Sequence, residues 1–375
     1  MDYKKYNNTK LAIGIGKTVV SFILILVFLL TGLSKELDTA LRSVSGNSYI
    51  VLILFVLVTG VVSGILFFPV NFYSQYILEH KYNLSNQTIL KWLWENIKGL
   101  LISGVIGIPV LLLFYYVITK FGGLWWLPFA VIMFIISVVL ARIAPLIILP
   151  LFYKVTPYEN ETLKERIQNL AHQAGIKVEN IFRFNMSKNT KKANAAFTGI
   201  GKSKRILLGD TLIESYSDDE IETVIAHELG HYKKKHIKKN IIRGTILSFL
   251  TLFLAAKLYE ISLGWFDFNS ILQIGALPVL VLWSMLIGLI ESPMGSAISR
   301  KYEYEADEYA IDTTRKPSAF ISTLKKLTDQ NLADKEPHPF VELFFYSHPS
   351  IKNRLAAIRK YSAEKLNMQL ADDIY

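Results

Sequence analysis

His227 and His231 stand four residues apart with Glu228 beside the first of them, giving H-E-x-x-H within Ile225-Ala226-His227-Glu228-Leu229-Gly230-His231. On a helix, residues at i and i+4 share a face, so both imidazoles can offer a nitrogen to one metal ion. A Glu next to the first ligand is suited to take a proton from the water that attacks a peptide bond. The chemistry this spacing serves is zinc-dependent hydrolysis, with one Zn2+ per chain and Glu228 as the catalytic base. Four letters also recur by chance, so the surrounding elements must support the reading.

The helix carrying them has a clear beginning. Ser217 with Glu220 three residues on forms a capping box, and Asp218 and Asp219 suit the positive end of the helix dipole. Ile221, Val224, Ile225, Leu229 and Tyr232 supply apolar contacts. A hydrolytic zinc site needs three protein ligands and an open position. His236 is a poor third, because a continuing helix places it about 180° around from His227. The tenth position after His227 is Ile237, and Lys234 stands where one protease class has a turning glycine. His236 therefore reads as structural or supporting. The run from Ser299 to Ala310 is helical by periodicity, and in it Glu303 shares a stripe with Ala306 and Ala310, whose small side chains let another helix come close. Glu303 is the expected third ligand. Asp307, one turn on, is placed to accept a hydrogen bond from a ligand imidazole. Glu305 and Glu308 point away from that stripe and read as a solvated acidic face.

These residues lie between segments that belong in a bilayer. Of 375 residues, 51% are hydrophobic, and the mean hydropathy of +0.32 is high for a soluble protein. Six runs approach the length of about 20 apolar residues that crosses a hydrocarbon core. They are Leu11 to Leu33, Tyr49 to Phe68, Leu100 to Thr119, Phe121 to Ala141, Gly244 to Ile261 and Ile271 to Ile290, the last with a kink expected at Pro278. Lys4, Lys5 and Lys10 precede the first span, which by the positive-inside rule places the N-terminus in the cytosol. Four spans then return the chain before the 150 to 240 segment, and two more before the 291 to 375 segment. Both polar segments thus share the cytosolic side. His231 precedes the fifth span and Glu303 follows the sixth by about ten residues each, roughly 15 Å of helix, so the ligands can meet at one depth.

The net charge of +10 is fed by a run of basic residues between Lys188 and Lys239. They read as a solvated face leaning on anionic lipid, since they form no aromatic-interleaved platform for nucleic acid. The chain has no cysteine, which excludes a disulfide framework and a thiol nucleophile. The first apolar run lacks a small-residue cleavage pattern. Residues 154 to 216 read as a small α/β unit, with a helix over Glu161 to Ala174 and strands over Ile181 to Asn185, Ala193 to Thr198 and Arg205 to Leu208. The stretch NAAFTG, closed by Gly199, suits either a sheet edge that takes an added substrate strand or an ordinary internal strand. After the second span, a polar and aromatic segment reads as a helical extension into the cytosol that turns at Asn83, with His80 structural.

Jointly, FFPVNFYSQYILEHKYNLSNQT, PLFYKVTP, NAAFTG, HELGHYKKKH, RKYEYEAD and YSHPSIKNRL resemble the type I CAAX prenyl proteases. These are integral-membrane zinc endopeptidases that remove the C-terminal tripeptide of prenylated proteins, and the resemblance runs from about residue 60 to 360. It implies that His227, His231 and Glu303 bind zinc, that Glu228 is the base and that Asp307 supports a ligand. It further implies that Asn194 and Ala195 belong to the substrate-binding edge strand, that His348 stabilises the substrate carbonyl and that Arg354 helps order the site. Eukaryotic members have seven spans around a large water-filled chamber, whereas this chain shows six, and its residues 1 to 50 match poorly.

The expected fold is a mainly α polytopic membrane protein, about six transmembrane helices with a small cytosolic α/β zincin-like catalytic domain. The expected division is 1–150 for four membrane helices, 151–240 for the zinc-protease domain, 241–292 for spans five and six, and 293–375 for a helical part that completes the active site. The expected partners are the lipid bilayer and a peptide or protein substrate, prenylated as the family's substrates are, with no nucleic acid. The membrane would be the cytoplasmic one in a bacterium and an endoplasmic-reticulum-type one in a eukaryote. Two other readings stay open. An HtpX-like quality-control protease shares HELGH and EYEAD but has fewer spans, and a non-catalytic zinc-containing channel or scaffold is argued against by the intact Glu228.

Overall fold

The structure, a computed structural model, describes residues 2–175, 181–198 and 205–370. Gly199, Lys202 and Lys204 lie outside them. Six helices among the described residues are long and apolar enough to cross a membrane. The chain begins with α1 (Tyr3–Leu30), a short amphipathic α2 (Leu33–Val44), α3 (Ser48–Lys81), α4 (Ile89–Phe121) and α5 (Trp126–Phe152). The soluble unit follows as β1 (Val155–Pro157), α6 (Glu161–Gln173), β2 (Ile181–Phe184), β3 (Ala195–Thr198), β4 (Arg205–Gly209), α7 (Asp210–Ser215) and α8 (Asp218–Lys233). The last two long apolar helices are α9 (His236–Ser262) and α10 (Leu277–Thr314), and α11 (Pro317–Gln330), α12 (Pro339–Phe345) and α13 (Ile351–Leu366) close the chain.

All six expected spans are present; α3, α4 and α9 run past the expected apolar run at both ends, while α1, α5 and α10 do so at one end only, α1 stopping at Leu30, α5 starting at Trp126 and α10 at Leu277. A helix stops at a cap or breaker and not where hydropathy falls, so polar continuations stay helical beyond the bilayer. At 1.5 Å per residue the 38 residues of α10 reach about 57 Å, against about 30 Å for a hydrocarbon core. Its excess length carries Glu303 and Asp307 into the soluble unit. Pro278 does not kink this helix, contrary to expectation. The helix starts at Leu277, and Pro278 sits in its first turn, where the missing N–H has no intrahelical partner to lose. In no span is more than 33% of the most apolar window buried, so the spans give most of their surface to lipid or to the interior of the bundle.

The four strands lie in the order β1-β2-β4-β3, with β2 and β4 parallel and the outer pairs antiparallel. Of the two readings of NAAFTG the edge is the one found, since among the described residues β3 pairs only with β4, Ala195 opposite Leu208 and Thr198 opposite Arg205. Ile206 and Leu208 of β4 share one hydrophobic cluster with Leu163 and Ile167 of α6 and Ile221, Ile225 and Leu229 of α8. Ala310, Phe320, Leu355 and Ile358 complete it, so segments on both sides of spans five and six build a single core.

At the opposite end of the sequence α1 reaches the same unit. Asn7 donates from Nδ2 to the carbonyl of Leu332 at 2.8 Å, and Tyr6 packs with Leu78, Tyr82 and Leu84. Beyond its apolar part α3 passes through one π-turn (Tyr73–Ile77) and ends at a left-handed Asn83 with φ 58°. His80 is structural, as expected: its ring nitrogens lie 2.7 Å from the carbonyl of Tyr76 and 2.8 Å from that of Gln87.

Candidate active site

The two histidines of α8 project toward α10, and the helices meet closely because the chain has glycine where they touch. A Cβ on Gly230 would lie 3.1 Å from Cα and O of Ala306 and 3.2 Å from Cβ of Tyr309. Ala306 supplies the matching small surface on α10, as its stripe suggested. Gly230→Val is therefore expected to wedge α8 off α10 and lower kcat/KM by about 10²-fold through a shift of the order of 1 Å between Glu303 and the histidines. Steady-state kinetics of that variant checks the contact, and unchanged values would show that it yields without moving the site.

Three side-chain atoms converge across this contact. Nε2 of His227 and Nε2 of His231 are 3.2 Å apart, and Glu303 straddles them, its Oε2 3.4 Å from the His227 nitrogen and its Oε1 3.4 Å from the His231 nitrogen. Ligand atoms held at about 2.0–2.2 Å around a tetrahedral zinc would be about 3.3–3.6 Å apart. Taking one ligand atom from each residue, the three lie within 4.8 Å of one another, a spacing that small side-chain adjustments would bring to a zinc coordination sphere, and the N, N, O donor set suits that ion. Among the described residues this is the group of His, Asp and Glu placed to hold a metal. The setting favours positive charge. Burial works against the imidazolium of His227, but the Asp307 and Glu303 carboxylates outweigh it and raise its pKa to about 9.

Each histidine is gripped at its other nitrogen. Asp307 Oδ1 lies 2.8 Å from Nδ1 of His227, close but out of line for a hydrogen bond, so the contact is chiefly electrostatic. Arg354 clamps Asp307 with two bonds, Nε to Oδ2 at 2.9 Å and Nη2 to Oδ1 at 2.6 Å. Its Nη1 also sits 3.9 Å from Glu303. On the other histidine, Nδ1 of His231 lies 3.0 Å from Nδ1 of His236, whose Nε2 lies 2.9 Å from Oε2 of Glu305.

That second chain corrects two expectations. His236 is a support, but not by standing opposite His227 on one helix: α8 ends at Lys233, and Lys235 turns the chain in the left-handed region with φ 59°. A new helix then starts at His236, which is buried beneath His231 and stacks on Tyr302 with centroids 4.1 Å apart. Glu305 belongs to this support and not to a solvated acidic face. Two residues separate it from Glu303, about 200° around the helix, so the face of α10 that meets α8 could not reveal it. It is engaged because α9 packs on another flank of α10.

One cleft of about 430 Å³ gathers the rest. His227, Glu228, Glu303, Asn194, Ala195, His348 and Arg354 all line it, opposite an apolar wall that includes Val224, Phe320 and Leu324. Nε2 of His348 lies 3.5 Å from Oε1 of Glu303. Sequence patterns missed what holds that histidine in place. Arg300 Nη1 donates to the carbonyls of Glu342 and Tyr346, both at 2.7 Å, and Glu342 accepts from the N–H of Ser350 at 3.1 Å. Asn331 was missed too, and its amide pairs with both backbone groups of Ala193 just before the edge strand, at 2.9 and 3.2 Å.

Comparison with known proteins now adds to the geometry. Residues 157–362, more than half of the chain, match the model of peptidase family M48. The chain belongs to peptidase family M48. Residues 2–154 of this M48 peptidase match the model described as CAAX prenyl protease N-terminal, five membrane helices. CAAX prenyl protease 1 of Saccharomyces cerevisiae is 34% identical over 80% of this chain and 70% of its own length. The metalloprotease YhfN of Bacillus subtilis is 29% identical over 95% of this chain and 84% of its own. The crystal structure of S. mikatae Ste24p superposes with a TM-score of 0.85 at 29% identity, covering 95% of this chain and 88% of that one. This M48 peptidase is a multi-pass integral membrane metalloendopeptidase resembling CAAX prenyl protease. The expectation that residues 1 to 50 match poorly is corrected, because the N-terminal match begins at residue 2. Lipid-facing positions accept almost any apolar residue, so short motifs fade there while the helices persist. The matched stretch holds four candidate spans among the described residues.

Proposed function

We propose that this peptidase holds one zinc ion through His227, His231 and Glu303 and cuts near the C-terminus of prenylated, membrane-associated proteins on the cytosolic side. The observation that carries it is the convergence of His227, His231 and Glu303, with one ligand atom from each within 4.8 Å of the others, on the same cleft as Glu228 and the edge strand. Asn7 of α1 lines that cleft, so the N-terminus and the site share one side. The lysines Lys4, Lys5 and Lys10 argue that this side is the cytosol. Relatives named CAAX prenyl protease 1 support the substrate class.

The chain's own groups divide the work. An extended substrate adds to the free edge of β3 at Asn194 and Ala195. When bound, zinc supplies Lewis acidity that polarises the scissile carbonyl and lowers the pKa of water to about 7. Glu228 takes the proton of the attacking water and delivers it to the leaving amine. Ser347 Oγ lies 3.0 Å from Nδ1 of His348. If it donates there, the His348 proton sits on Nε2, ready to bond the developing oxyanion. With Nε2 reserved for the metal, His231 carries its proton on Nδ1, toward His236, which in turn donates from Nε2 to Glu305. His236→Phe keeps the stack on Tyr302 but removes the acceptor, and it is expected to weaken zinc binding by about 10–100-fold in chelator competition. Wild-type affinity in that variant would reduce His236 to packing.

Purified enzyme given a farnesylated C-a-a-X peptide and its unlipidated twin tests the substrate class. Preference for the lipidated peptide, abolished by chelation and restored by zinc, is expected. Equal cleavage of the pair would rule out recognition of the lipid.

A further inference from the structure

Beside the catalytic cleft runs a second concavity that the reaction as described leaves unused. It is a groove of about 770 Å³ between α1 and α10, within the range of about 300–1,000 Å³ usual for small-molecule sites. Leu11, Ile15, Val19 and Phe22 line it from α1, at spacings of four, four and three that put them on one face. Met285 and Leu289 face them from α10. Asn7, Lys10 and Tyr346 form a polar mouth at one end, and Thr18 farther along spends its hydroxyl hydrogen on the Gly14 carbonyl. Asn7 and Tyr346 also line the catalytic cleft, so the two cavities communicate there. Tyr346 is two residues from His348, whose Nε2 is 3.5 Å from the ligand Glu303. The mouth therefore opens into the cleft that Glu228 and Glu303 line.

We propose that this groove receives the isoprenyl chain of the substrate and so selects lipidated substrates, an inference that rests on the proposed substrate class. In a C-a-a-X terminus the lipid is carried by the cysteine. Removing the last three residues cuts the bond at that cysteine's own carbonyl, so its thioether-linked chain leaves from beside the scissile bond. The occupant must therefore start polar at the reacting centre and continue as a single apolar chain into the bilayer-facing region. The groove has that polarity along its length. From Asn7 to Phe22 it follows fifteen residues of α1, about 22 Å at 1.5 Å each, room for an extended chain of three or four isoprene units. A bilayer lipid in the same place would lack the covalent tether that starts at the mouth.

Gly14 lines the groove, and a Cβ there would meet no atom within 4 Å, so a large side chain can enter the space without repacking the helices. Gly16 also has open space at its Cβ but does not line the groove. Cleavage of farnesylated and unlipidated twin peptides is compared in nanodiscs for the wild type, Gly14→Trp and Gly16→Trp. The wild type and Gly16→Trp are expected to prefer the farnesylated peptide by about tenfold or more in kcat/KM, and Gly14→Trp by less than about twofold. A preference retained in Gly14→Trp would overturn the groove and leave the substrate class standing. No preference in the wild type would overturn both. Independently of any variant, a peptide with a diazirine at the end of its isoprenyl chain is expected to label Val19, Phe22 or Met285. Labelling confined to other helices would overturn the assignment.

Discussion

Glu228→Gln is expected to lower kcat by about 10³-fold or more while the protein keeps its full complement of zinc. Glu228 lines the cleft on the helix of the two histidines but is not one of the three converging ligand atoms. Glutamine preserves size and hydrogen-bonding reach and loses only the ability to take a proton. Ground-state binding should change little, so the loss should fall on kcat and leave KM nearly unmoved. Kinetics paired with metal analysis of the same preparation decides the point. More than a tenth of wild-type kcat in a zinc-loaded variant would remove Glu228 from the role of base. Loss of zinc along with activity would instead make it a ligand or a structural residue.

Glu303→Ala should act through the metal. It removes the carboxylate of the proposed donor set and leaves two histidines, below the three protein ligands of a hydrolytic zinc site. Groups that merely orient a ligand are worth about 10–100-fold in affinity, so loss of a ligand should exceed about 100-fold. Activity should fall to background, and added zinc should not restore it. Chelated wild-type enzyme, by contrast, should recover on zinc addition. Half-buried Arg354 and buried Asp307 remain paired with each other in the variant through two hydrogen bonds. The soluble unit should therefore stay folded, which circular dichroism of the metal-free proteins would check. Retained zinc in Glu303→Ala would require another third ligand, and His348, with Nε2 3.5 Å from the Glu303 oxygen, is a candidate.

Placements that depend on local periodicity are legible in the sequence itself. The i, i+4 histidines, the Ser217–Glu220 capping box and the Glu303–Ala306–Ala310 stripe follow from 3.6 residues per turn, and the helices that carry them have those faces and ends. Six spans were legible because a bilayer demands a length of apolar chain, which composition alone displays. Pro278 was misread because an apolar window shows how long a segment is and not where its first turn begins.

What the sequence by itself determined, then, is a membrane-spanning chain with a helix able to present two histidines to a metal and a second helix able to bring a carboxylate. Tertiary structure alone decided which sheet edge is free, that the chain turns at Lys235 to set His236 under His231, and that Glu305 completes that support. It also decided that the first helix lines both the cleft and the groove beside it. The physical reason is one of range. Helix faces and span lengths are set by neighbours within a few turns. Glu305 lies 69 residues from His236 and Leu332 lies 325 from Asn7, and such partners are chosen by how whole elements pack.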